Sequence, residues 1–259
     1  MADFLDTLAQ SARATIDSGY YEAVPEEAAS RVSLKKAILE AKHAPVITEI
    51  KAASPSAGTI RENIKACSIA ESMEKGGAIG ISVLTEPKHF NGSLSSLVKA
   101  RRTVKLPILM KDIILRPVQL EVASNLGANV VLFIEALFDR GYCESTLSDM
   151  IATAHSKGLE VLLETHTEAE FRYAVGTRAD LVGINNRNLA TLKVDLNVTK
   201  KILEQNNAEG KIVVSESGVT TPAELRFLRL YGAQAFLVGS AVMLAKDIEG
   251  KVKELVSAL

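Results

Sequence analysis

Residues 45–56 read PVITEIKAASPS, and this stretch decides between the two common arrangements of a parallel sheet. Its apolar run 46–50 suits a buried strand, yet Glu49 and Lys51 occupy alternate positions at the end of that run. A period of two places both side chains on the same face of the strand. An open nucleotide-binding sheet carries a GxGxxG or GxxxxGK[ST] loop after its first strand, and KAASPS matches neither pattern. The stretch therefore favours a closed barrel with a polar mouth.

Short apolar runs recur after residue 45, and each is followed by a polar loop and a helical period. The eight runs are VITEI, AIGISVL, PILMK, ANVVLFI, LEVLLE, LVGINN, KIVVSE and AFLVG. Continuous rather than alternating apolar runs are typical of parallel strands that helices cover. We therefore predict an α/β fold, a (β/α)8 TIM barrel. Residues 1–259 are expected to form one domain, with residues 1–45 as an N-terminal helical extension.

Composition and charge exclude several classes of protein. The 259 residues are 47% hydrophobic and carry a formal net charge of −1 without long runs of one sign, so no nucleic-acid surface is expected. Cys67 and Cys143 are far apart and the four histidines lack ligand spacing, which argues against a disulfide framework or a zinc site. Neither a signal segment nor a membrane span is evident. The prediction is a soluble, cytoplasmic protein that binds no membrane.

Polar side chains stand where most of the runs end, which is where a TIM barrel places its active site. They include Glu49, Lys51, Lys111, Glu164, Asn185, Arg187, Glu216 and Ser217. Two lysines and several glutamates that converge on one rim can serve as general acids and bases, because proximity and partial burial shift their pKa values. For any single residue the alternative is a structural ion pair at the barrel mouth.

Two glycine-containing segments, SESGVTTP and VGSAVM, follow the seventh and eighth runs. Backbone N–H groups at such helix starts bind phosphate, and these two loops are the usual place for that site in a TIM barrel. Gly218, Gly239 and Ser240 are the candidates, with tight turns as the alternative explanation. Phe90 lies on the loop after the second run, where it either stacks on a planar ligand or serves packing alone.

Seven motifs that follow one another along the chain resemble those of the indole-3-glycerol phosphate synthase family of tryptophan biosynthesis. They are EIKAASPS, ISVLTEPKHFNGS, PILMKDII, LLETHTEAE, VGINNRNLATLKVD, VSESGVTTPAEL and AFLVGSAVM. The resemblance implies a lyase that needs no metal or cofactor. It also implies a reaction, the closure of the indole ring of 1-(2-carboxyphenylamino)-1-deoxyribulose 5-phosphate with loss of carbon dioxide and water. The expected partner is this phosphorylated small molecule, and the expected state is a monomer.

The same resemblance implies roles for individual residues. Lys111 corresponds to the general acid, and the other catalytic positions are Glu164, Lys51, Glu49, Asn185 and Glu216. The substrate and phosphate ligands correspond to Ser54, Phe90, Arg187, Ser217, Gly218, Gly239 and Ser240. Which of the two lysines serves which step stays open.

Three positions depart from the family pattern: Ala52, Ile113 and Glu135. A carboxylate in an apolar pocket either has a raised pKa or finds a lysine partner. Glu135 is therefore paired with a rim lysine such as Lys111, turned away from the pocket, or a sign of an altered substrate site, and we expect the first. Two other functions remain open at this point. One is a different phosphate-binding barrel that acts on a ribulose phosphate, similar to phosphoribosylanthranilate isomerase. The other is a barrel that binds its phosphate ligand but has lost turnover.

Overall fold

The computed structural model describes residues 3–22, 32–54, 58–62, 64–189 and 191–259. Within them eight parallel strands close into a barrel. The strands are β1 (Val46–Ile50), β2 (Gly80–Leu84), β3 (Ile108–Lys111), β4 (Val130–Ile134), β5 (Glu160–Thr165), β6 (Leu181–Asn185), β7 (Ile212–Glu216) and β8 (Ala235–Val238). Each pairs with its neighbours in the chain, and β8 closes the ring on β1 through the register Val46↔Phe236. All eight predicted runs contain a strand, so the predicted TIM barrel is confirmed.

Helices alternate with the strands and cover the outside of the barrel. They are α1 (Phe4–Asp17), α2 (Leu34–Glu40), α3 (Ala66–Lys75), α4 (Leu94–Thr103), α5 (Pro117–Asn125), α6 (Glu135–Asp139), α7 (Leu147–Ser156), α8 (Glu168–Val175), α9 (Asn197–Gln205), α10 (Pro222–Leu230), α11 (Ser240–Leu244) and α12 (Ile248–Val256). Helices α1 and α2 precede the barrel. Residues 1, 2 and 23–31 of the predicted extension lie outside the described residues.

The strands are buried on both faces, which explains why their sequences are continuous apolar runs. Every residue of β1, β2, β4, β6 and β7 is buried. The largest fully buried side chains include Phe133, Phe171 and Phe236, which come from β4, α8 and β8. Polar side chains within this core are concentrated at the carboxyl ends of the strands, where they cannot be explained by packing alone.

The N-terminal segment is anchored at that same end of the barrel. Tyr21, just beyond α1, donates from its hydroxyl to the buried Asp112 Oδ2 at 2.9 Å. Arg140, which follows α6, contacts Asp3 and Asp6 at the start of α1, each at 2.8 Å. In the described part of the chain no helix has the length and apolar character needed to cross a membrane.

Candidate active site

A cavity of about 390 Å³ opens at the carboxyl ends of the strands. All thirteen residues predicted for the site line it: Glu49, Lys51, Ser54, Phe90, Lys111, Glu164, Asn185, Arg187, Glu216, Ser217, Gly218, Gly239 and Ser240. These residues are spread along the sequence between positions 49 and 240. The closed sheet brings them together because every parallel strand ends at the same rim. The structure therefore brings the thirteen residues to one cavity, and their roles in binding and catalysis stay predictions.

Lys111 occupies the centre of the cavity between two buried carboxylates. Its Nζ lies 3.0 Å from Glu164 Oε2 and 3.5 Å from Glu216 Oε2. Lys111 ends β3, Glu164 lies on β5 and Glu216 ends β7, so the three side chains come from alternate strands, as the layers of a TIM barrel require. Asn185 Nδ2 donates to the second oxygen of Glu164 at 3.1 Å. A lysine thus meets two glutamates where neither carboxylate is open to bulk water.

This arrangement shifts the pKa values of the two glutamates in opposite directions. Burial alone would raise the pKa of Glu164, but the charges of Lys111 and His166 and the hydrogen bond from Asn185 outweigh it and lower that pKa. Burial raises the pKa of Glu216, and the neighbouring Glu164 carboxylate adds to the effect despite the attraction of Lys111. Burial opposes the charge of Lys111, yet the nearby carboxylates raise its pKa. The site therefore holds an ammonium beside one ionised carboxylate and one readily protonated carboxyl.

A second lysine–glutamate pair lies at the carboxyl end of β1, with Glu49 on the strand and Lys51 directly after it. Lys51 Nζ is 2.9 Å from Glu49 Oε1, and both side chains are nearly buried. Gly239 makes room for this pair, because a Cβ there would lie 2.5 Å from Glu49 Oε1 and 2.8 Å from Lys51 Nζ. The alternation noted in PVITEIKAASPS thus brings both charges to the cavity, as the period of two predicts.

The loops after β7 and β8 form the anion-binding candidate. Ser217 and Gly218 have φ values of 64° and 95°, so two successive residues adopt the left-handed conformation and the chain turns sharply there. Ser240 begins α11 with Gly239 as its N-cap. Ser54, which is buried, faces the same cavity from the segment after β1. Successive backbone N–H groups in such turns and at helix starts attract anions.

Apolar side chains line the remaining wall, and most of them are absent from the predicted set. Leu132 and Ile134 come from β4, while Leu189, Leu192 and Val194 come from the loop after β6. Helix α1 adds Phe4 and Leu8. The apolar end of β4 was visible in the sequence, but the contributions of α1 and of the β6 loop depend on tertiary packing and had no local signal.

The prediction for Glu135 is wrong. The side chain is buried, but it forms no ion pair with Lys111 or with any other cation in the described segments, and it does not line the main cavity. The reason is the alternation itself, because Leu132 and Ile134 of β4 face the cavity and the next residue, Glu135, falls on the other side, where α6 begins. Ile134 takes the cavity-facing position instead. Of the other two departures, Ile113 lines the cavity and Ala52 is buried without lining it.

The fold and this site define a class of protein: a TIM-barrel enzyme with lysine–glutamate pairs in its cavity and candidate anion-binding loops at the rim. The family model described as indole-3-glycerol phosphate synthase matches residues 6–255. The chain belongs to the indole-3-glycerol phosphate synthase family, and as a member it is a carboxy-lyase of tryptophan biosynthesis. The identification drawn from the motifs is confirmed, and neither alternative function is favoured.

Relatives with the same name match most of this chain. The indole-3-glycerol phosphate synthase of Methanocaldococcus jannaschii is 43% identical over 87% of this chain and 84% of its own length. That of Aromatoleum aromaticum is also 43% identical, over 82% of this chain and 79% of its own. The enzyme of Neisseria gonorrhoeae is 40% identical over 94% of this chain and 92% of its own.

Solved structures that are much less similar in sequence share the fold. Thiamine phosphate pyrophosphorylase from Pyrococcus furiosus is 18% identical with a TM-score of 0.60, over 87% of this chain and 97% of that one. The N-acetylmannosamine-6-phosphate 2-epimerase from Clostridium perfringens is 16% identical with a TM-score of 0.60, over 81% and 90% of the two chains. At these identities the likeness concerns the barrel alone.

Proposed function

We propose that Lys111 is the general acid of ring closure. The observation that carries this proposal is the position of its Nζ, held at the centre of the cavity at 3.0 Å from Glu164 and 3.5 Å from Glu216. When the aromatic carbon attacks the ribulose carbonyl, negative charge develops on the carbonyl oxygen. An ammonium that surrounding carboxylates keep charged stabilises that oxygen and then donates its proton to it. Carbon dioxide then leaves as the ring regains its aromaticity.

The polar and apolar walls of the cavity support one orientation of the substrate. The phosphate lies at the loops after β7 and β8, bound by Ser54, Ser217, Gly218, Gly239 and Ser240, with the charge of Lys51 nearby. The carboxyphenyl ring lies against Phe90 and the apolar wall, near Arg187. The Arg187 guanidinium is oriented by donation from Nη1 to Leu192 O at 3.0 Å, so it can bind a carboxylate.

The dehydration step needs an acid and a base on two sides of the new ring, and we assign these roles to Lys51 and Glu164. Strands β1 and β5 lie opposite each other in the eight-stranded barrel, so the two side chains approach the substrate from opposite sides. The lowered pKa of Glu164 keeps it ionised and able to accept a proton. Lys111 lies beside Glu164, which makes Lys51 the better-placed donor to the departing hydroxyl.

Three residues orient the reacting groups in this scheme. Glu49 holds the Lys51 ammonium at 2.9 Å. Asn185 holds Glu164 through its amide at 3.1 Å. Glu216 lies 3.5 Å from Lys111 and, with its raised pKa, exchanges a proton more readily than an ordinary carboxylate.

The test is an assay with 1-(2-carboxyphenylamino)-1-deoxyribulose 5-phosphate, followed through the fluorescence of the indole product. Lys111→Ala is expected to lower kcat by at least about a hundredfold because the acid is lost. Lys105→Ala is the matched control, since Lys105 is exposed near the opposite end of β3, and it should behave as the unsubstituted chain. Circular dichroism of each variant shows whether it folds. A normal kcat in Lys111→Ala removes this residue from the acid role, and a chain that binds the substrate without turnover contradicts the whole scheme.

We also propose that the protein is a cytoplasmic monomer in which the barrel and residues 1–45 act as one domain. Both described helices before the barrel pack into the common hydrophobic core, which supports a single folding unit. Size-exclusion chromatography with light scattering should give the mass of one chain, and thermal unfolding should show one transition. A dimer mass or two separate transitions would contradict the corresponding part of the proposal.

A further inference from the structure

His166 follows β5, two residues beyond Glu164, and faces a carboxylate with each of its ring nitrogens. Its Nε2 lies 3.3 Å from Glu164 Oε1, and its Nδ1 lies 3.6 Å from Glu170 Oε2. The side chain is 13% exposed, so the ring is largely removed from water. Nothing in the motifs gave this histidine a role, yet it is in contact with a glutamate at the centre of the site.

The Nε2 atom of His166 is buried and has no hydrogen bond within the described residues. Nearly all buried polar atoms in folded proteins have a partner, so such an atom requires an explanation. Its nearest acceptor, Glu164 Oε1, is at contact distance without being aligned for a hydrogen bond.

Glu170 fixes the ring from the other side. Its Oε2 accepts from the backbone N–H of His166 at 2.7 Å, and its Oε1 accepts from Thr167 Oγ1 at 3.0 Å. Both bonds belong to the start of α8, so Glu170 is tied to the same turn as the histidine. Carboxylate partners of this kind set the orientation of an imidazole and decide which of its nitrogens donates.

Glu164 needs a second partner during the reaction, an argument that rests on its proposed role as the base. When Lys111 gives its proton to the substrate, the ammonium becomes a neutral amine and the ion pair with Glu164 is lost. A buried carboxylate without a cation or sufficient donors takes up a proton and can no longer act as a base. Among the described residues, Asn185 donates one hydrogen bond to this carboxylate.

We propose that His166 is a positioning residue that holds the Glu164 carboxylate after Lys111 has given its proton to the substrate. Its Nε2–H binds Glu164 Oε1 once Lys111 has lost its charge, and it keeps the carboxylate oriented and ionised for dehydration. Glu170 holds the ring so that Nε2 points at Glu164 throughout. The buried nitrogen without a hydrogen bond is therefore a donor whose acceptor arrives during turnover.

The charges that surround the ring agree with this role. Glu164 and Glu170 are its direct neighbours, and Lys111 lies beyond Glu164. Across a second cavity of about 210 Å³, which His166 also lines, stand Asp3, Arg140 and Arg187. Arg140 is paired with Asp3 and Asp6, so its charge is compensated. Glu135 adds a further carboxyl next to Glu170. The groups nearest to the His166 ring are thus carboxylates that accept hydrogen bonds, and an imidazole N–H can donate to them.

The experiment compares His166→Ala and His166→Gln with a control, His155→Ala. His155 also faces a carboxylate, Asp180 at 2.9 Å, but it lies on α7 away from the cavity. His166→Ala is expected to lower kcat by about ten- to a hundredfold with little change in KM. This is the usual effect of removing a residue that orients a catalytic group without touching the substrate. The acid limb of the kcat profile should move to higher pH, because Glu164 loses a neighbour that lowers its pKa. His155→Ala should leave both unchanged.

His166→Gln separates orientation from charge and keeps the test valid if the alanine variant fails to fold. The glutamine amide can donate to Glu164 but carries no charge, so it should restore most of kcat near pH 8 and leave the acid limb displaced. A folded variant with the original kcat and acid limb, or with a change in KM alone, overturns the proposal. Glu164→Gln is assayed beside them. If it is active, the base role itself is contradicted; if it is inactive while His166→Ala is normal, only the role of His166 fails.

Discussion

Glu135 has a carboxyl group that the fold buries, and no cation among the described residues forms an ion pair with it. It begins α6 and is only 7% exposed. Burial raises its pKa to about 7, and the charges of Glu170 and Asp139 act in the same direction. Such a group lowers the stability of the folded state wherever it is ionised, because the folded chain holds the proton more tightly than the unfolded chain does.

The sign of the pH dependence follows from this raised pKa. Between the ordinary glutamate pKa of about 4.3 and the folded value of about 7, the free energy of unfolding falls as pH rises. Glu135→Gln removes this loss, so the variant should be more stable than the unsubstituted chain at pH 8 by about 1 kcal/mol after allowance for solvent screening. Near pH 4 the two should be equal. Urea unfolding at both pH values measures the difference.

The control for that experiment is Glu121→Gln, since Glu121 is an exposed glutamate on α5 that pairs with Lys157 at the surface. It should change the stability little and by the same amount at both pH values. A difference between Glu135→Gln and the unsubstituted chain that does not depend on pH would show that burial of the carboxylate is not the cause.

At the scale of the elements, glycines in two strand regions leave space for side chains that we propose to act in the reaction. A Cβ at Gly183 on β6 would overlap Glu216 Oε1, and a Cβ at Gly239 would meet the Lys51–Glu49 pair. The atoms met are the far ends of flexible side chains, so the barrel can fold while the functional groups move. Each glycine therefore protects a different part of the proposed reaction.

An alanine at each position should affect a different part of the proposed reaction. Gly183→Ala displaces Glu216 from Lys111 and is expected to lower kcat about tenfold with little change in KM. Gly239→Ala displaces Lys51, the proposed donor to the departing hydroxyl beside the phosphate loops, and should both lower kcat and raise KM by a similar factor. Gly176→Ala is the control, because a Cβ there makes only an ordinary contact of 3.5 Å with Tyr173 O. Steady-state kinetics distinguishes the three, and an unchanged KM in Gly239→Ala or a raised KM in Gly183→Ala would contradict this assignment.

The strands also show how much of the fold and of the cavity lining could be predicted from the sequence. Eight apolar runs and the residues that follow them predicted the barrel and twelve of the thirteen cavity-lining positions, because strand burial and rim position are local consequences of the chain order. Ser54 came only from the family resemblance. Glu135 was misjudged because the period of two places its neighbour Ile134 at the cavity and Glu135 on the other face. Phe4, Leu8 and His166 were missed because their importance comes from what packs beside them, which no local period encodes.

At the scale of the whole molecule, α1 closes one side of the cavity and is fastened by contacts between residues far apart in sequence. Arg140 binds Asp3 and Asp6, and the Tyr142 hydroxyl donates to Asp6 at 2.8 Å. Arg13 of α1 donates back to Tyr142 O at 2.8 Å. The segment after α6 thereby holds the helix that brings Phe4 and Leu8 to the site.

Loss of the Arg140 contacts should loosen this helix and weaken substrate binding more than chemistry. Arg140→Ala frees Asp3 and Asp6, so KM is expected to rise about three- to tenfold with kcat within about twofold, because Lys111 and Glu164 are untouched. High salt should raise KM of the unsubstituted chain toward that of the variant, since these partly exposed ion pairs are screened. Lys157→Ala, which breaks a surface ion pair with Glu121 elsewhere, is the control and should leave KM unchanged at either salt concentration. If Arg140→Ala instead lowers kcat at constant KM, α1 acts on the reaction itself and not as a wall of the binding site.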